Sequence, residues 1–585
     1  MVQKRRQTLL VRFLPDQPIR LLCLICHPVS EGKYTPPPNG VKADFRTGFC
    51  SSGFCWTAWS ASFTISPMTG LTRHRKSYLL PFTVLVVLAL LVGIVATSNG
   101  ANYYMDSTWY LVYARSVRDG SGLSAPITSY QNPQTVTWIN QWPPLYPLLL
   151  APGADGLAWG RLTSLALLVV TVGLIYALSI KLLNGQRWLA IVPAVLFLSI
   201  PSTTITVFSA IYSEALFIPL ALSLLLILLH YRPDSEFISP AWAAGAAVVA
   251  ALLCLTRYIG AAVCLLGVVY LAAWARTVRH PTRWLPAILL LLALVPLLLY
   301  MVYLWQQTGS FTGVQSAGHE LSLEDIPDSL RNMAVELLHA FNYPFKLVGL
   351  RSNWWGFVVA GLLLALVTVA GWRKRQALRT AFDSRHMLLL LAVVVYMGAF
   401  WYLAVRSDPV TARDIRHFVV VYPLILLLTI RALSVIGIPR VAAAGLMTLY
   451  ALSGITALQT ASEGLDYNAP VWHTDPVIAQ LPALIPPQTL VHGQDVGYLS
   501  YVLGPHTPVR MFGGDSAFEN YRCSDLTYPP GYQHAAFTLM YSPLLRTQSP
   551  EYVEAFMRDW ATPCGEVETI TISDFALVMV VRLNQ

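Results

Sequence analysis

The fold is decided by residues 103–120, YYMDSTWYLVYARSVRDG, and by the return at 141–147, QWPPLYP, which both follow the first long apolar segment. An apolar segment of about 20 residues spans the hydrocarbon core of a bilayer, so this loop is predicted to emerge into water at a membrane face. Asp106 begins the loop, and apolar residues recur at helical spacing from Trp109 to Val117. That spacing is typical of an amphipathic helix on the membrane surface. The proline-rich return then leads back into the membrane.

The composition is that of a polytopic α-helical membrane protein. Of 585 residues, 55% are hydrophobic and only 12% are charged, with a mean hydropathy of +0.53, whereas soluble proteins carry about 25% charged residues. The formal net charge of +9 raises the question of a nucleic-acid partner. However, Lys and Arg lie mostly in short loops on one side of the predicted membrane, which is a signal of topology. No nucleic-acid partner is predicted.

Apolar periodicity predicts about eleven transmembrane helices. They are predicted at 79–97, 160–182, 188–203, 207–230, 240–256, 259–275, 284–304, 354–372, 386–404, 417–430 and 440–458. Basic residues precede the first span at Arg73, Arg75 and Lys76, and they cluster again at 276–283 and 373–385. This distribution predicts a cytoplasmic amino terminus, and an odd number of spans then puts the carboxyl terminus outside.

Three regions are predicted along the chain. Residues 1–67 lack helical periodicity and are predicted to be a disordered upstream extension. Residues 68–460 form the transmembrane domain, with a first external loop at 98–158 and a second at 305–353. From 461 to 585, Pro, Gly, Asp and Tyr become more frequent and short β-like runs occur, which predicts a small external α/β domain.

The extension also holds four of the eight cysteines, Cys23, Cys26, Cys50 and Cys55. A C-x-x-C pair with two further thiols admits a four-thiolate zinc site. The C-x-x-C lies inside an apolar run, however, and Met68 is followed by basic residues and a clean span, as the start of a membrane protein would be. A misassigned start is the favoured interpretation, and the zinc site is the alternative.

Two acids at the predicted outer face are candidate catalytic residues. Asp106 stands just beyond the first span, where a carboxylate can act as a general base for an acceptor hydroxyl or amine, or bind a divalent cation. The alternative is a helix N-cap, because Asp106 precedes an apolar-periodic segment. Glu214, in SAIYSEALF, begins the fourth span, where an acid usually faces the protein interior and has a function. Its alternative is a helix-start acid that stabilises the helix dipole.

Outer-face arginines are candidate phosphate ligands. Arg257 and Tyr258 interrupt the apolar run in LTRYIG, and Arg413, Arg416 and His417 precede the tenth span. The planar guanidinium can bind two phosphate oxygens at once. A structural Asp–Arg pair and a lipid-headgroup site are the alternatives. In the sequence, no P-loop, Rossmann turn, HExxH or GxSxG motif occurs in its required context, and no histidine shows metal-ligand spacing.

Four segments together resemble the GT-C fold glycosyltransferases. YYMDSTWYLVYARSVRDG with QWPPLYPLLLA resembles their first external loop, and SAIYSEALF, LTRYIG and RHFVVVYPLILLL follow in order. The similarity covers roughly residues 75–460. It is nearest to the bacterial relatives of the dolichyl-phosphate-mannose protein mannosyltransferases, with the lipid A aminoarabinose transferases nearby. The order of the segments and the topology carry the resemblance, since no single motif is specific.

The resemblance implies transfer of a sugar from a polyprenyl-phosphate or dolichyl-phosphate donor to an acceptor at the outer membrane face. It implies that Asp106 is the first-loop catalytic acid, that Glu214 is the second acidic position, and that Arg257 or Arg416 holds the donor phosphate. Ser107 stands where many members carry a second adjacent acid. This departure leaves metal dependence open, with a divalent cation as the one candidate cofactor and Asp106 as its one candidate ligand.

A second departure lies before the proline pair. Gln141 and Trp142 stand where some members have charged residues, which leaves the substrate contacts at that corner open. Trp142 is predicted to stack on a sugar ring, and Tyr104, close to Asp106, is also predicted to bind substrate.

The sequence therefore predicts a multi-pass glycosyltransferase of the plasma membrane, with a lipid-linked donor and a lipid, glycan or protein acceptor. A transporter or flippase for lipid-linked intermediates and a non-catalytic envelope assembly protein are the alternatives. A transporter places ionisable residues along a pathway through the membrane, often between inverted repeats, whereas here they collect at one face. In an assembly protein, Asp106, Glu214 and Arg416 would not converge.

Overall fold

The computed structural model describes most of the chain between Leu71 and Asn584. The described residues are 71–125, 127–128, 138–139, 142–153, 157–183, 186–200, 207–231, 240–278, 280, 282–312, 327, 330–331, 333, 369, 371–407, 415–437, 448, 451–452, 454–455, 458–465, 467–504, 507–512, 518, 522–526, 528 and 531–584. They belong to one compact unit, Met68–Gln585. The predicted extension 1–67 with its cysteines, most of the predicted loop 305–353 and Arg413 lie outside the described residues.

The first part of the described chain is mostly apolar helix. In chain order its elements are α1 (Leu71–Ala96), α2 (Met105–Arg118), β1 (Ser124–Ala125), β2 (Ile127–Thr128), β3 (Trp138–Ile139), α3 (Leu145–Leu150), α4 (Leu157–Leu182), α5 (Arg187–Ser199), α6 (Glu214–Leu228), α7 (Pro240–Thr256), α8 (Gly260–Thr277), α9 (Leu285–Leu292), α10 (Val295–Thr308), α11 (Arg375–Ala381), α12 (Ser384–Ser407) and α13 (Tyr422–Ile436). A 3-10 helix, Ile415–Val420, precedes α13.

Five helical segments are long and apolar enough to cross a membrane. They are Leu79–Ala96, Leu157–Leu182, Gly260–Thr277, Leu285–Thr308 and Ser384–Leu403, and α6, α7, α13 and Leu189–Ser199 are shorter apolar helices. Large apolar side chains such as Leu80 and Leu299 face outward, as they do where lipid covers a surface. These helices confirm a membrane protein. The predicted spans 354–372 and 440–458 lie largely outside the described residues, so the total of eleven stays a prediction.

Two of the predicted spans differ from the helices that the structure shows. The span predicted from residue 207 begins as a regular helix only at Glu214, because Ala210 pairs with the backbone of Asn102 instead. The span predicted at 284–304 is divided into α9 and α10. Pro296 lies in the first turn of α10, where its missing N–H cannot continue the hydrogen bonding of α9.

The carboxyl-terminal part contains both helices and strands. Its elements are α14 (Val471–Thr474), α15 (Pro476–Leu484), β4 (Thr489–Gly493), α16 (Val496–Leu503), β5 (Val509–Met511), β6 (His534–Met540), α17 (Pro543–Thr547), α18 (Pro550–Ala561), β7 (Gly565–Ile572) and β8 (Ala576–Leu583). The sheet has the order β2-β5-β4-β6-β8-β7, parallel from β2 to β6 and antiparallel from β6 to β7. Strand β2 comes from the segment predicted as the first external loop, so this segment and the carboxyl-terminal part share one sheet.

A disulfide between Cys523 and Cys564 joins the segment before β6 to the start of β7. Cys254 and Cys264, in α7 and α8, are free thiols buried among the apolar helices. The disulfide lies in the α/β part of the chain.

Helix α2 lies where the sequence predicted a surface helix, but it is buried along most of its length, from Ser107 to Ala114. On one side Trp109 and Tyr113 pack with residues of α16, and on the other Tyr110 packs against α3. A Cβ added at Gly497, in α16, would lie 2.4 Å from the Thr108 hydroxyl. Glycine is therefore what allows α16 to approach α2 so closely. The carboxyl-terminal part covers the face of α2 that a helix on the membrane surface would expose to water.

Candidate active site

The two candidate acids lie at the starts of two helices. Asp106 is in the first turn of α2, but Tyr104 is the N-cap residue and no side-chain cap bond forms there. The N-cap interpretation of Asp106 is therefore wrong. Glu214 is the first residue of α6. The two carboxylates differ in exposure, since 26% of the Asp106 side chain is exposed and none of the Glu214 side chain is.

Arg416 connects the two acids. Its Nη2 lies 2.6 Å from Asp106 Oδ2, and its Nε lies 3.7 Å from Glu214 Oε1. The guanidinium also lies over the ring of Tyr212, 4.5 Å from its centroid. A planar guanidinium with several donors is suited to join two carboxylates and an aromatic face in this way. Asp106 and Glu214 therefore share one cation between them.

Two further basic groups surround Glu214. Arg257 Nη1 lies 2.5 Å from Glu214 Oε1, and His417 Nδ1 lies 3.1 Å from the same oxygen. Arg257 Nη2 is also 3.2 Å from His417 Nδ1. Truncating one partner of a buried ion pair leaves an uncompensated charge, whereas a fully paired cluster is tolerated. Glu214 therefore acts as the common anchor of Arg257, Arg416 and His417.

A hydroxyl network connects this cluster to α2. Ser213 Oγ accepts hydrogen bonds from Tyr110 Oη and from Arg257 Nη1, each at 3.0 Å, and donates to Glu214 Oε2 at 3.4 Å. Burial, reinforced by the charge of Asp106, raises the pKa of Tyr110 well above its ordinary value. The Tyr110 hydroxyl therefore keeps its proton at neutral pH and donates a hydrogen bond to Ser213. This bond connects the helix that carries Asp106 to the helix that carries Glu214.

Tyr110 and Ser213 were not predicted from the sequence, although each has a weak signal there. Tyr110 lies four residues after Asp106, which is one helical turn and therefore the same face of α2. Ser213 directly precedes Glu214. Neither residue belongs to a motif, and hydroxyls at such positions usually serve only as structural hydrogen-bond partners.

No protein-family model matches the chain, and no curated protein matches it in sequence. Its structure is similar to that of ArnT from Cupriavidus metallidurans, bound to undecaprenyl phosphate, with a TM-score of 0.51 and 14% identity over 85% of this chain and 97% of ArnT. The apo state of the same protein gives a TM-score of 0.52 and 13% identity, over 87% and 98% of the two chains. ArnT is a GT-C glycosyltransferase. This chain has the GT-C fold.

The remaining predicted site residues take different positions on this GT-C fold. Tyr104 stacks on Tyr212 at 5.3 Å and 15°, on the ring that Arg416 also contacts. Trp142 is partly buried and packs edge-to-face on Tyr110 at 5.6 Å, so its ring is part of the support of α2. Tyr258 is half-buried against the apolar helices. The structure therefore brings Tyr104 to the cluster and uses Trp142 and Tyr258 in packing.

The side chains around Asp106 and Glu214 do not match a divalent-cation site. Cations of this kind prefer several carboxylate or carbonyl oxygens. Here Arg416 pairs with the Asp106 carboxylate, Arg257, Arg416 and His417 surround Glu214, and Ser107 follows Asp106. Within the part of the chain that the structure describes, no group of three His, Cys, Asp or Glu side chains is placed to hold a metal.

Proposed function

We propose that this chain transfers a sugar from a polyprenyl-phosphate-linked donor to an acceptor at the outer face of the plasma membrane. The observation that carries the proposal is the position of Arg416, which joins the accessible acid Asp106 to the buried acid Glu214 beside a second arginine, Arg257. A transferase acting on a lipid-linked phosphate needs a base and cations together at one depth of the membrane. The GT-C fold shared with ArnT, which was solved with undecaprenyl phosphate, supports the same proposal.

The two acids have different roles in this proposal. Asp106 is partly exposed, so its carboxylate can reach an acceptor hydroxyl or amine and remove the proton as the nucleophile attacks the sugar. Glu214 is fully buried and holds three basic side chains. Its role is therefore to position the arginines, which revises the expectation that it is a second catalytic acid.

The arginines are assigned to the donor phosphate. As the bond between the sugar and the phosphate breaks, negative charge develops on the departing polyprenyl phosphate, and guanidinium groups fixed in advance stabilise that charge. Arg416 is assigned to move between Asp106 and a phosphate, since it already contacts Asp106 at 2.6 Å and lies over the ring of Tyr212. When a phosphate draws Arg416 away, the carboxylate of Asp106 becomes free to accept a proton.

We further propose that no divalent cation takes part. The cluster already supplies two guanidinium groups next to its two carboxylates, so the charge that a cation would bring to a phosphate is supplied by side chains. The proposal is based on the mismatch between the side chains of this cluster and the oxygen ligands that a divalent cation prefers.

The predicted orientation also belongs to the proposal. The Cys523–Cys564 disulfide supports an extracytoplasmic α/β part, because disulfides persist in oxidising compartments. Asp106 lies in the first turn of α2, which this part covers, and the basic residues around α11 lie in a loop of the opposite predicted side. The acceptor, whether lipid, glycan or protein, would approach from outside.

The proposal is tested with purified protein in liposomes and a radiolabelled polyprenyl-phosphate sugar. Release of polyprenyl phosphate together with a labelled acceptor from an envelope extract supports transfer. Arg416→Gln should weaken binding of polyprenyl phosphate about 10- to 100-fold, since a charged hydrogen bond contributes about 1.5–3 kcal/mol. Arg118→Gln is the matched control, because Arg118 is exposed and pairs with the neighbouring Asp119 at 3.2 Å. Movement of intact donor across the bilayer without cleavage would instead identify a flippase.

A further inference from the structure

One short backbone pairing precedes both acids by the same number of residues. Asn102 and Ala210 form a parallel bridge, in which the Asn102 N–H donates to Ser209 O at 2.8 Å and the Ile211 N–H donates to Asn102 O at 3.2 Å. Asp106 follows Asn102 by four residues, and Glu214 follows Ala210 by four residues. Each acid therefore follows the same pairing by four residues and lies in the first turn of the helix that comes next.

The Asn102 side chain fixes this pairing from a third direction. It is fully buried, and its Nδ2 donates to Ser209 Oγ at 3.2 Å. Its Oδ1 accepts from the Leu465 N–H at 2.9 Å and from Asn468 Nδ2 at 3.3 Å. One amide therefore joins three segments, namely the exit of α1, the entry to α6 and the beginning of the carboxyl-terminal part.

The distances at the acids explain why this pairing needs to be exact in register. Arg416 reaches Asp106 at 2.6 Å and Glu214 at 3.7 Å. A slip of one residue in an extended pairing moves one chain by about 3.3 Å relative to the other. Such a slip would exceed the reach of a single guanidinium between the two carboxylates. Even a displacement of about 1 Å at a reacting group can lower a rate about 10²-fold.

We propose that Asn102 is a positioning residue that sets the separation of Asp106 and Glu214, and so holds Asp106 in register with the arginines. This inference rests on the proposed function for its kinetic consequence. Asn102 contacts neither acid, and it acts through the backbone that leads into α2 and α6. It also makes the geometry of the acids depend on the docking of the carboxyl-terminal part, through Leu465 and Asn468.

Single-turnover cleavage of labelled donor tests the proposal, because it reports the rate constant and the active fraction separately. Asn102→Ala should lower the rate constant at least about tenfold while the amplitude and the binding of polyprenyl phosphate stay within twofold of wild type. Ser209→Ala removes the acceptor of Asn102 Nδ2, keeps the bonds of Asn102 Oδ1 with Leu465 and Asn468, and should give a smaller loss in the same direction. It provides the answer if Asn102→Ala does not fold. Asn99→Ala is the matched control, because exposed Asn99 contacts Ser462 O at 2.6 Å and lies outside the pairing.

Carbodiimide footprinting of the Asp106 carboxylate is the second measurement, and it needs no transfer activity. Asn102→Ala should increase labelling of Asp106 several-fold, because the ion pair with Arg416 is lost, and Asn99→Ala should leave labelling unchanged. Unchanged Asp106 labelling, or a reduced amplitude with a wild-type rate constant, would overturn the positioning role. A wild-type protein that cleaves no donor would overturn the proposed function alone, and footprinting would then decide the role of Asn102.

Discussion

Replacing Glu214 with Gln keeps the size of the side chain and removes its charge. In the folded protein, Oε1 of Glu214 lies 2.5 Å from Arg257 and 3.1 Å from His417, and the side chain is wholly buried. Removing one partner of a buried ion pair destabilises a protein by about 3–5 kcal/mol. Since a Gln oxygen still accepts one hydrogen bond from Arg257, we expect the lower end of this range, about 3 kcal/mol.

The loss of stability expected for Glu214→Gln is to be compared with that of Asp106→Asn. Asp106 pairs with Arg416 at 2.6 Å, but 26% of its side chain is exposed, and ion pairs in contact with water contribute at most about 1 kcal/mol. We therefore expect Asp106→Asn to leave stability nearly unchanged and to remove transfer. Glu214→Gln should lower stability strongly and weaken donor binding, because the arginines lose their anchor.

Unfolding by SDS in mixed micelles, followed by tryptophan fluorescence, measures the free energy of unfolding of each variant. Transfer and polyprenyl-phosphate binding are measured on the same preparations. The reasoning would be refuted by a Glu214→Gln variant within 1 kcal/mol of wild type, a margin well below the expected loss. It would also be refuted if Asp106→Asn lost more stability than Glu214→Gln.

Three further predictions follow from the packing and the chemistry. Treatment with EDTA should leave transfer within twofold of the untreated rate, and loss of activity that Mg²⁺ or Mn²⁺ restores would contradict the cation-independent site. Gly497→Ala should cost about 1–3 kcal/mol and slow transfer, because the new Cβ meets Thr108 on α2; Gly245→Ala, in open space within α7, is the control and should behave as wild type. Cys523→Ser should cost about 4 kcal/mol, as expected for a loop closed across 41 residues, and a wild-type melting temperature of that variant would show that the disulfide does not stabilise the fold.

The charged residues of the site could be predicted from the sequence. An acid or arginine near hydrocarbon is conspicuous in a chain with so little charge, which is why Asp106, Glu214, Arg257 and Arg416 were found from the sequence. The order of the segments that carry them resembles that of GT-C enzymes, and this resemblance implied their roles. The structure brings all four together with His417, which was also a candidate from the sequence.

What could not be predicted depends on contacts between distant segments. Asn102 looks like any polar residue of a loop, and its role follows only from the pairing with Ala210. Strand β2 has two residues, too few to show alternation, so its place in the sheet was not visible. The burial of α2 likewise depends on α16, almost 400 residues later in the chain. A helix with one apolar stripe looks the same in sequence whether lipid or another domain covers its other face.

The role of Asp106 as the base of a lipid-linked sugar transfer is tested by the initial rate of transfer by Asp106→Asn. Asp119→Asn is the matched control, since Asp119 is the exposed C-cap residue of the same helix and pairs with its neighbour Arg118. We expect a loss of at least about 10²-fold for Asp106→Asn, with polyprenyl-phosphate binding retained, and a wild-type rate for Asp119→Asn. Equal rates for Asp106→Asn and wild type would contradict it.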